Sequence, residues 1–205
     1  MEVYISEGQH TFTDDQARID QSETAVSNAD IVFVEKSSEA FSPLENLRLV
    51  ISVPLLMGAV LTYLWLLKLA KLVLGDDTAI ADHFEKEYGS EMIFVDVPHV
   101  ILLEKERDFW GIINLLAFVW PLGLSLWGFL SLSVVSYGYI LFFQSIIMFT
   151  TYLASTLPYR DQYMARQVVS HANQFDTGLL VIGEQHADGI RRELQRDDAV
   201  SLIEN

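Results

Sequence analysis

Residues 109–159 contain no charged side chain, and no other feature of this chain limits its fold as strongly. A single helix of that length would run roughly 75 Å at 1.5 Å per residue, whereas a bilayer's hydrocarbon core is about 30 Å thick. One helix cannot fit. The stretch therefore reads as two transmembrane helices joined by a short turn, expected near Ser131–Ser136, where serine is frequent. Trp110, Trp120, Trp127, Tyr137, Tyr139 and Tyr152 fall partly where aromatic belts meet the interfaces. Lys105 and Arg107 precede this hairpin, Arg160 and Arg166 follow it, and its turn has no basic residue. By the positive-inside rule both outer ends face the cytoplasm. A buried helical pair in a soluble protein is the competing reading.

The rest of the composition narrows the partners. A net charge of −15, from 28 acidic and 13 basic residues, repels phosphate backbones and argues against nucleic acid. It also argues against docking on anionic lipid through a basic patch. Such acidity suits a high-salt cell, where screening is strong. Cysteine is absent, so neither disulfides nor thiolate chemistry is available, and a metal site would have to use His, Asp and Glu. Met1 to Ser6 lacks the basic and apolar regions of a signal peptide, so targeting is expected from the internal apolar segments.

The chain divides into five parts. Residues 1–47 are an N-terminal α/β part: Val3-Tyr4-Ile5 reads as a strand, a helix starts near Thr13-Asp14-Asp15 and runs towards Ala29, and Ile31–Val34 is a buried-type strand ending at Glu35. Residues 48–74 are an apolar helix, with Pro54 near its start and no charge from Leu49 to Leu67; it either spans a bilayer or lies buried or in the interface. Residues 75–108 are a middle α/β part, with a helix over Asp77–Tyr88 capped by Gly89 and a strand over Met92–Val97. Residues 109–157 are the hairpin. Residues 158–205 are a C-terminal α/β part, in which Pro158 closes the membrane segment, Arg160–Asn173 is a helix, Leu179–Ile182 a strand, and Asp188–Gln195 opens a last helix. This alternation predicts an α/β fold: a small, mostly parallel sheet with flanking helices, interrupted by a transmembrane helical hairpin.

Two short patterns resemble each other. Ser6-Glu7-Gly8-Gln9-His10 and Gly183-Glu184-Gln185-His186 each follow a strand. Ligands of open parallel sheets bind beyond the carboxyl ends of the strands, so both histidines would share a rim if their strands are close. Glu35 follows a third strand end. Imidazoles with a carboxylate suit a divalent ion such as zinc, manganese or cobalt, and such an ion turns water into a nucleophile near neutral pH. Arg160 is the candidate for stabilising a developing oxyanion. Each residue also has an ordinary reading: a surface or supporting histidine, a carboxylate capping a helix, an arginine anchoring a membrane helix. His83 and His99 read as structural.

These residues carry a resemblance to the TraB/TIKI family, whose members have two Gly-x-x-His motifs far apart in sequence, each after a strand. Val181-Ile182-Gly183-Glu184-Gln185-His186, with the following Gly189-Ile190, resembles the second motif. Tyr159-Arg160-Asp161-Gln162-Tyr163-Met164-Ala165 resembles the family's Arg-Asp-x-x-Met-Ala helix start, and Ile31–Glu35 its apolar strand ending in glutamate. Gly89 to Val97 is similar to its middle strand. The chain departs from the family at Glu7, where the first motif has glycine, at Asp96-Val97-Pro98-His99, where many relatives have Asp-Arg-Asp, and in its apolar hairpin. The resemblance implies a divalent metal held by His10, His186 and Glu35, catalytic roles for Glu35 and Arg160, substrate contacts at Gly183 and Glu184, and hydrolysis of a peptide substrate. The altered first motif leaves a non-catalytic regulatory or partner-binding module as the alternative.

A shared site also imposes parity. Both motifs face one compartment only if an even number of spans separates them, so two spans are expected, with residues 48–74 buried or interfacial. The expected protein is thus integral to the lipid bilayer, with its soluble parts cytoplasmic, and a homodimer could complete its small sheet.

Overall fold

The computed structural model describes residues 1–8, 15–37, 43–74, 79–126 and 133–203. They fall into two compact units, one made of Met1–Glu39, Ala70–Pro98 and Leu157–Asn205, the other of Ala40–Leu69 and His99–Thr156.

The first unit is built on a five-stranded, wholly parallel sheet of order β3-β2-β4-β1-β5. Its strands are β1 (Glu2–Gly8), β2 (Ile31–Val34), β3 (Glu91–Phe94), β4 (Thr177–Gly183) and β5 (Ser201–Ile203). The central strands are continuous apolar runs because both of their faces are covered. On one face Tyr4, Val32, Val34, Leu179 and Val181 pack against Ile19 and Val26 around α1 (Asp15–Ala25) and against Ile80, Ala81 and Phe84 of α4 (Ala79–Tyr88). On the other face Val3, Ile5, Phe33, Leu180 and Ile182 meet Met164, Ala165 and Val168 of α7 (Val134–His171) and Ala187, Ile190 and Leu194 of α8 (Glu184–Leu194). Successive residues of one strand serve opposite layers, as the two-residue strand period requires.

The α/β class and the parallel sheet agree with expectation, and several boundaries differ. α1 ends at Ala25 rather than Ala29, its last turn closed by Val26 N–H on Ser22 O. Gly89, at φ 71°, terminates α4 as expected. β3 stops at Phe94 because Asp96 turns out of the strand: its N–H donates to Lys36 O and its carboxylate accepts the Val97 N–H. β5 is an added edge strand, paired only with β1. α8 starts at Glu184, four residues earlier than expected, so β4 runs straight into it through Gly183. Pro158 does not end a helix; α7 passes through it.

The second unit is helical. α2 (Pro43–Ser52) and α3 (Pro54–Leu74) are almost one helix, since Val53 N–H still reaches Leu49 O and Met57 N–H reaches Val53 O. Pro54 breaks the ladder between them, because proline lacks a donor and crowds the preceding turn. The donors left over at Leu55 and Leu56 are taken by a side chain from α6 (Arg107–Leu126): Asn114 Oδ1 accepts them at 2.8 and 3.4 Å. A short helix, α5 (His99–Lys105), precedes α6.

α6 and α7 are each long and apolar enough to cross a membrane; within α3 the apolar run is the shorter Pro54–Leu66. The two long helices are tied by polar contacts. Tyr137 donates to Phe118 O at 2.8 Å, and the Gln144 amide joins Ala117 O (3.0 Å) to Trp120 Nε1 (2.7 Å). Phe109, Ile112, Leu115, Val119, Phe142 and Phe143 are exposed. Ser131 and Leu132 of the expected turn, and the expected belt residue Trp127, lie outside the described residues, but Ser133 already caps α7, accepting the Ser136 N–H. Trp110 and Tyr152 are buried and pack edge to face against each other.

Candidate functional site

The connections of the sheet single out one edge. β1 leads to α1 on one face, and β4, its hydrogen-bonded neighbour, leads to α8 on the other. β2 lies on the far side of β4. Adjacent strands whose connections part to opposite faces open a crevice at their carboxyl ends, the usual ligand position in such sheets. The two glycine-containing strand ends lie side by side there, with Gly8 opposite Gly183. His10 lies outside the described residues.

Glu35 is the first residue beyond β2, and its N–H extends the ladder to Val181 O. Its carboxylate is therefore held against the start of α8, where Oε2 accepts the Gly183 N–H at 2.7 Å. Oε1 lies 3.0 Å from Arg160 Nη2 and 3.2 Å from His186 Nε2. Arg160, on α7, also forks onto Asp96, with Nε on Oδ1 at 3.0 Å and Nη2 on Oδ2 at 2.7 Å. The next residue on α7, Asp161, meets the other ring nitrogen of the histidine: His186 Nδ1 lies 2.5 Å from Asp161 Oδ1. Gln185 Nε2 is 3.4 Å from His186 Nε2. The result is a chain of groups, Asp161–His186–Glu35–Arg160–Asp96, drawn from α7, α8 and the ends of β2 and β3.

All of it is shielded from water. His186 is wholly buried, Arg160 and Asp161 are 8% and 6% exposed, and Glu35 and Asp96 are comparably covered. Burial opposes a charged imidazole, but the hydrogen bonds to Asp161 and Glu35 outweigh it and raise the His186 pKa from 6.5 to about 9. The cluster thus holds two cations among three carboxylates.

Of the expected residues, Glu35, Arg160, His186 and Gly183 come together beyond the carboxyl ends of the strands, whereas the Glu184 side chain is exposed. Glu7, at the altered position, forms a surface ion pair with Arg191 at 3.1 Å. His83 sits on the surface of α4, bonded to Glu23 at 2.7 Å. Sequence reasoning gave Asp161 and Asp96 no role. The available signal was Gly189, three residues after His186 on the same side of α8, where a missing side chain leaves room for a neighbour.

As for a metal, His186 Nε2 and Glu35 Oε1 supply an imidazole and a carboxylate at one point. No group of three or more His, Cys, Asp or Glu suited to an ion occurs among the described residues. The donor chemistry therefore fits in part, and the fit depends on the contribution of His10.

The chain matches no protein-family model, no curated protein and no solved structure.

Proposed function

We propose that this chain is a membrane-anchored, TraB-like metal-dependent hydrolase acting on peptide bonds. The observation that carries the reading is the buried Glu35–His186 pair, with Arg160 on the same carboxylate, at the carboxyl edge where the sheet's connections part. His186 and Glu35, with His10, would hold a divalent ion of the manganese, cobalt or zinc type. Such an ion supplies a Lewis acid and a water of lowered pKa. Glu35 is placed to hold or pass a proton, because its two oxygens are fixed by different donors and its charge is balanced by Arg160. Arg160 is the cation available for negative charge on a carbonyl oxygen. Gly183 and Glu184 lie at the strand-to-helix passage where a substrate backbone would pass.

In the same reading α6 and α7 form a transmembrane hairpin, and the basic residues flanking it put the sheet in the cytoplasm. β2 is hydrogen-bonded to β3 on one side and to β4 on the other, so all three lie in one sheet and each pair is separated by an even number of crossings. α6 and α7 supply two between β3 and β4. α2–α3, between β2 and β3, must return to the side it left, as an interfacial or re-entrant helix.

The test is metal content by mass spectrometry, beside peptide hydrolysis, for wild type and the His10→Ala/His186→Ala variant. About one divalent ion per chain and turnover in the wild type, both lost in the variant, support the reading. No uptake after loading with manganese, cobalt and zinc sinks it.

A specific observation favours a second reading. Both ring nitrogens of a fully buried His186 face carboxylates, an arrangement that also serves as an internal tie in a non-catalytic, partner-binding module. Turnover with stoichiometric metal would exclude that alternative.

A further inference from the structure

We propose that Asp161 is the positioning residue for His186, and that Gly189 is the gap in α8 that admits it. The inference rests on the site reading above for its purpose, and on geometry for its content. Asp161 Oδ1 lies 2.5 Å from His186 Nδ1, and both side chains are buried. A Cβ on Gly189 would fall directly on the Asp161 carboxylate, touching Oδ2, Cγ and Cβ. This close approach is backbone against side chain, so no rotamer change in α8 relieves it. Any residue other than glycine at 189 therefore displaces Asp161.

The consequence follows from the two edges of the ring. Asp161 fixes a proton on Nδ1, and a ring held there presents Nε2 to Glu35, 3.2 Å away. Once Nε2 has lost its proton, a carboxylate of this kind keeps the ring oriented and would make that nitrogen a better metal ligand. Arg160 and Asp161 are consecutive on α7, about 100° apart around the helix axis. One helical turn thus serves three strand ends: Arg160 engages Glu35 and Asp96 beyond β2 and β3, while Asp161 engages the histidine beyond β4.

The test uses full-length protein labelled with 15N-histidine in detergent or nanodiscs. With five histidines in the chain, His186→Gln identifies the His186 signals. The expected wild-type spectrum has an Nδ1–H proton far downfield of an ordinary imidazole N–H. It should move back to the ordinary range in the isosteric Asp161→Asn and, independently, in Gly189→Ala. Asp188→Ala, which alters an exposed neighbour, should leave it unchanged. Circular dichroism separates these effects from unfolding, and Asp161→Asn alone decides the matter if Gly189→Ala does not fold. A downfield proton unaffected by either substitution overturns the proposal. Manganese titration then separates the two levels of inference: both variants should bind about 10–100-fold more weakly than wild type. If the proton signature behaves as stated while wild type takes up no metal, the positioning role stands and the metal reading falls.

Discussion

Arg160 bridges two buried carboxylates that come from different strand ends. Removing one partner of a buried pair leaves the other charge without compensation. Arg160→Ala should therefore lower stability by about 3–5 kcal/mol, read by thermal or denaturant melts in detergent. Arg160→Lys, which keeps the charge but loses the planar fork, should recover part of it. His186 gives the pH dependence. Its pKa is raised from 6.5 to about 9 on folding, so its stabilising contribution is complete below about 6.5 and disappears as the pH rises through about 9. Melting temperature should fall over that window in the wild type, and the fall should be much shallower in His186→Asn. Glu35, Arg160, His186 and Gly183 were legible in the sequence because each abuts a strand end or a motif. Asp96 and Asp161 were not, because a carboxylate that acts on a partner far along the chain leaves no local pattern.

Among the elements, the strands were the most legible. Ile31–Val34 and Leu179–Ile182 are short runs dominated by β-branched and leucine side chains, and they fill the centre of the sheet, where both faces demand apolar groups. Helix starts were less legible. α8 begins at Glu184 without a Ser, Thr, Asp or Asn side-chain cap, since Gly183 holds the cap position with no side-chain hydrogen bond. The usual start signal is missing there. Pro158 looks like a stop, yet α7 runs through it, while the boundary between the two units falls just before it, between Thr156 and Leu157. The α2–α3 break is a case where one proline reads correctly and its remedy does not. Asn114 lies sixty residues beyond Pro54, and its Oδ1 is the acceptor for the donors at Leu55 and Leu56. In a water-poor setting such donors must find a protein partner. Asn114→Leu should cost about 1–3 kcal/mol, measured as a drop in melting temperature, whereas Asn114→Asp, which retains an acceptor, should cost less.

At the scale of the whole molecule, the order β3-β2-β4-β1-β5 could not be read from the sequence. The strand that ends up between β1 and β2 is the fourth to be made, and strand order follows from distant pairing rather than from any local segment. That order has a direct test, because the native chain has no cysteine. Single cysteines at Asn28, Glu87 and Arg196 should react with a membrane-impermeant maleimide from one side of oriented vesicles, and one at Ser133 from the other. Labelling of Glu87→Cys from the side opposite Asn28→Cys would mean that α2–α3 crosses, and the parallel pairing of β2 with β3 could not then form. The late arrival of β4 also makes the protein's assembly sequential in time. Among the described residues β1 pairs only with β4 and β5, so residues 2–8 leave the ribosome and then wait. At typical elongation rates of 5–20 residues per second, that wait lasts roughly ten to thirty seconds. In the transmembrane reading proposed above, α6 and α7 emerge before β4, so the nascent chain would enter the bilayer while its first strand is still unpaired.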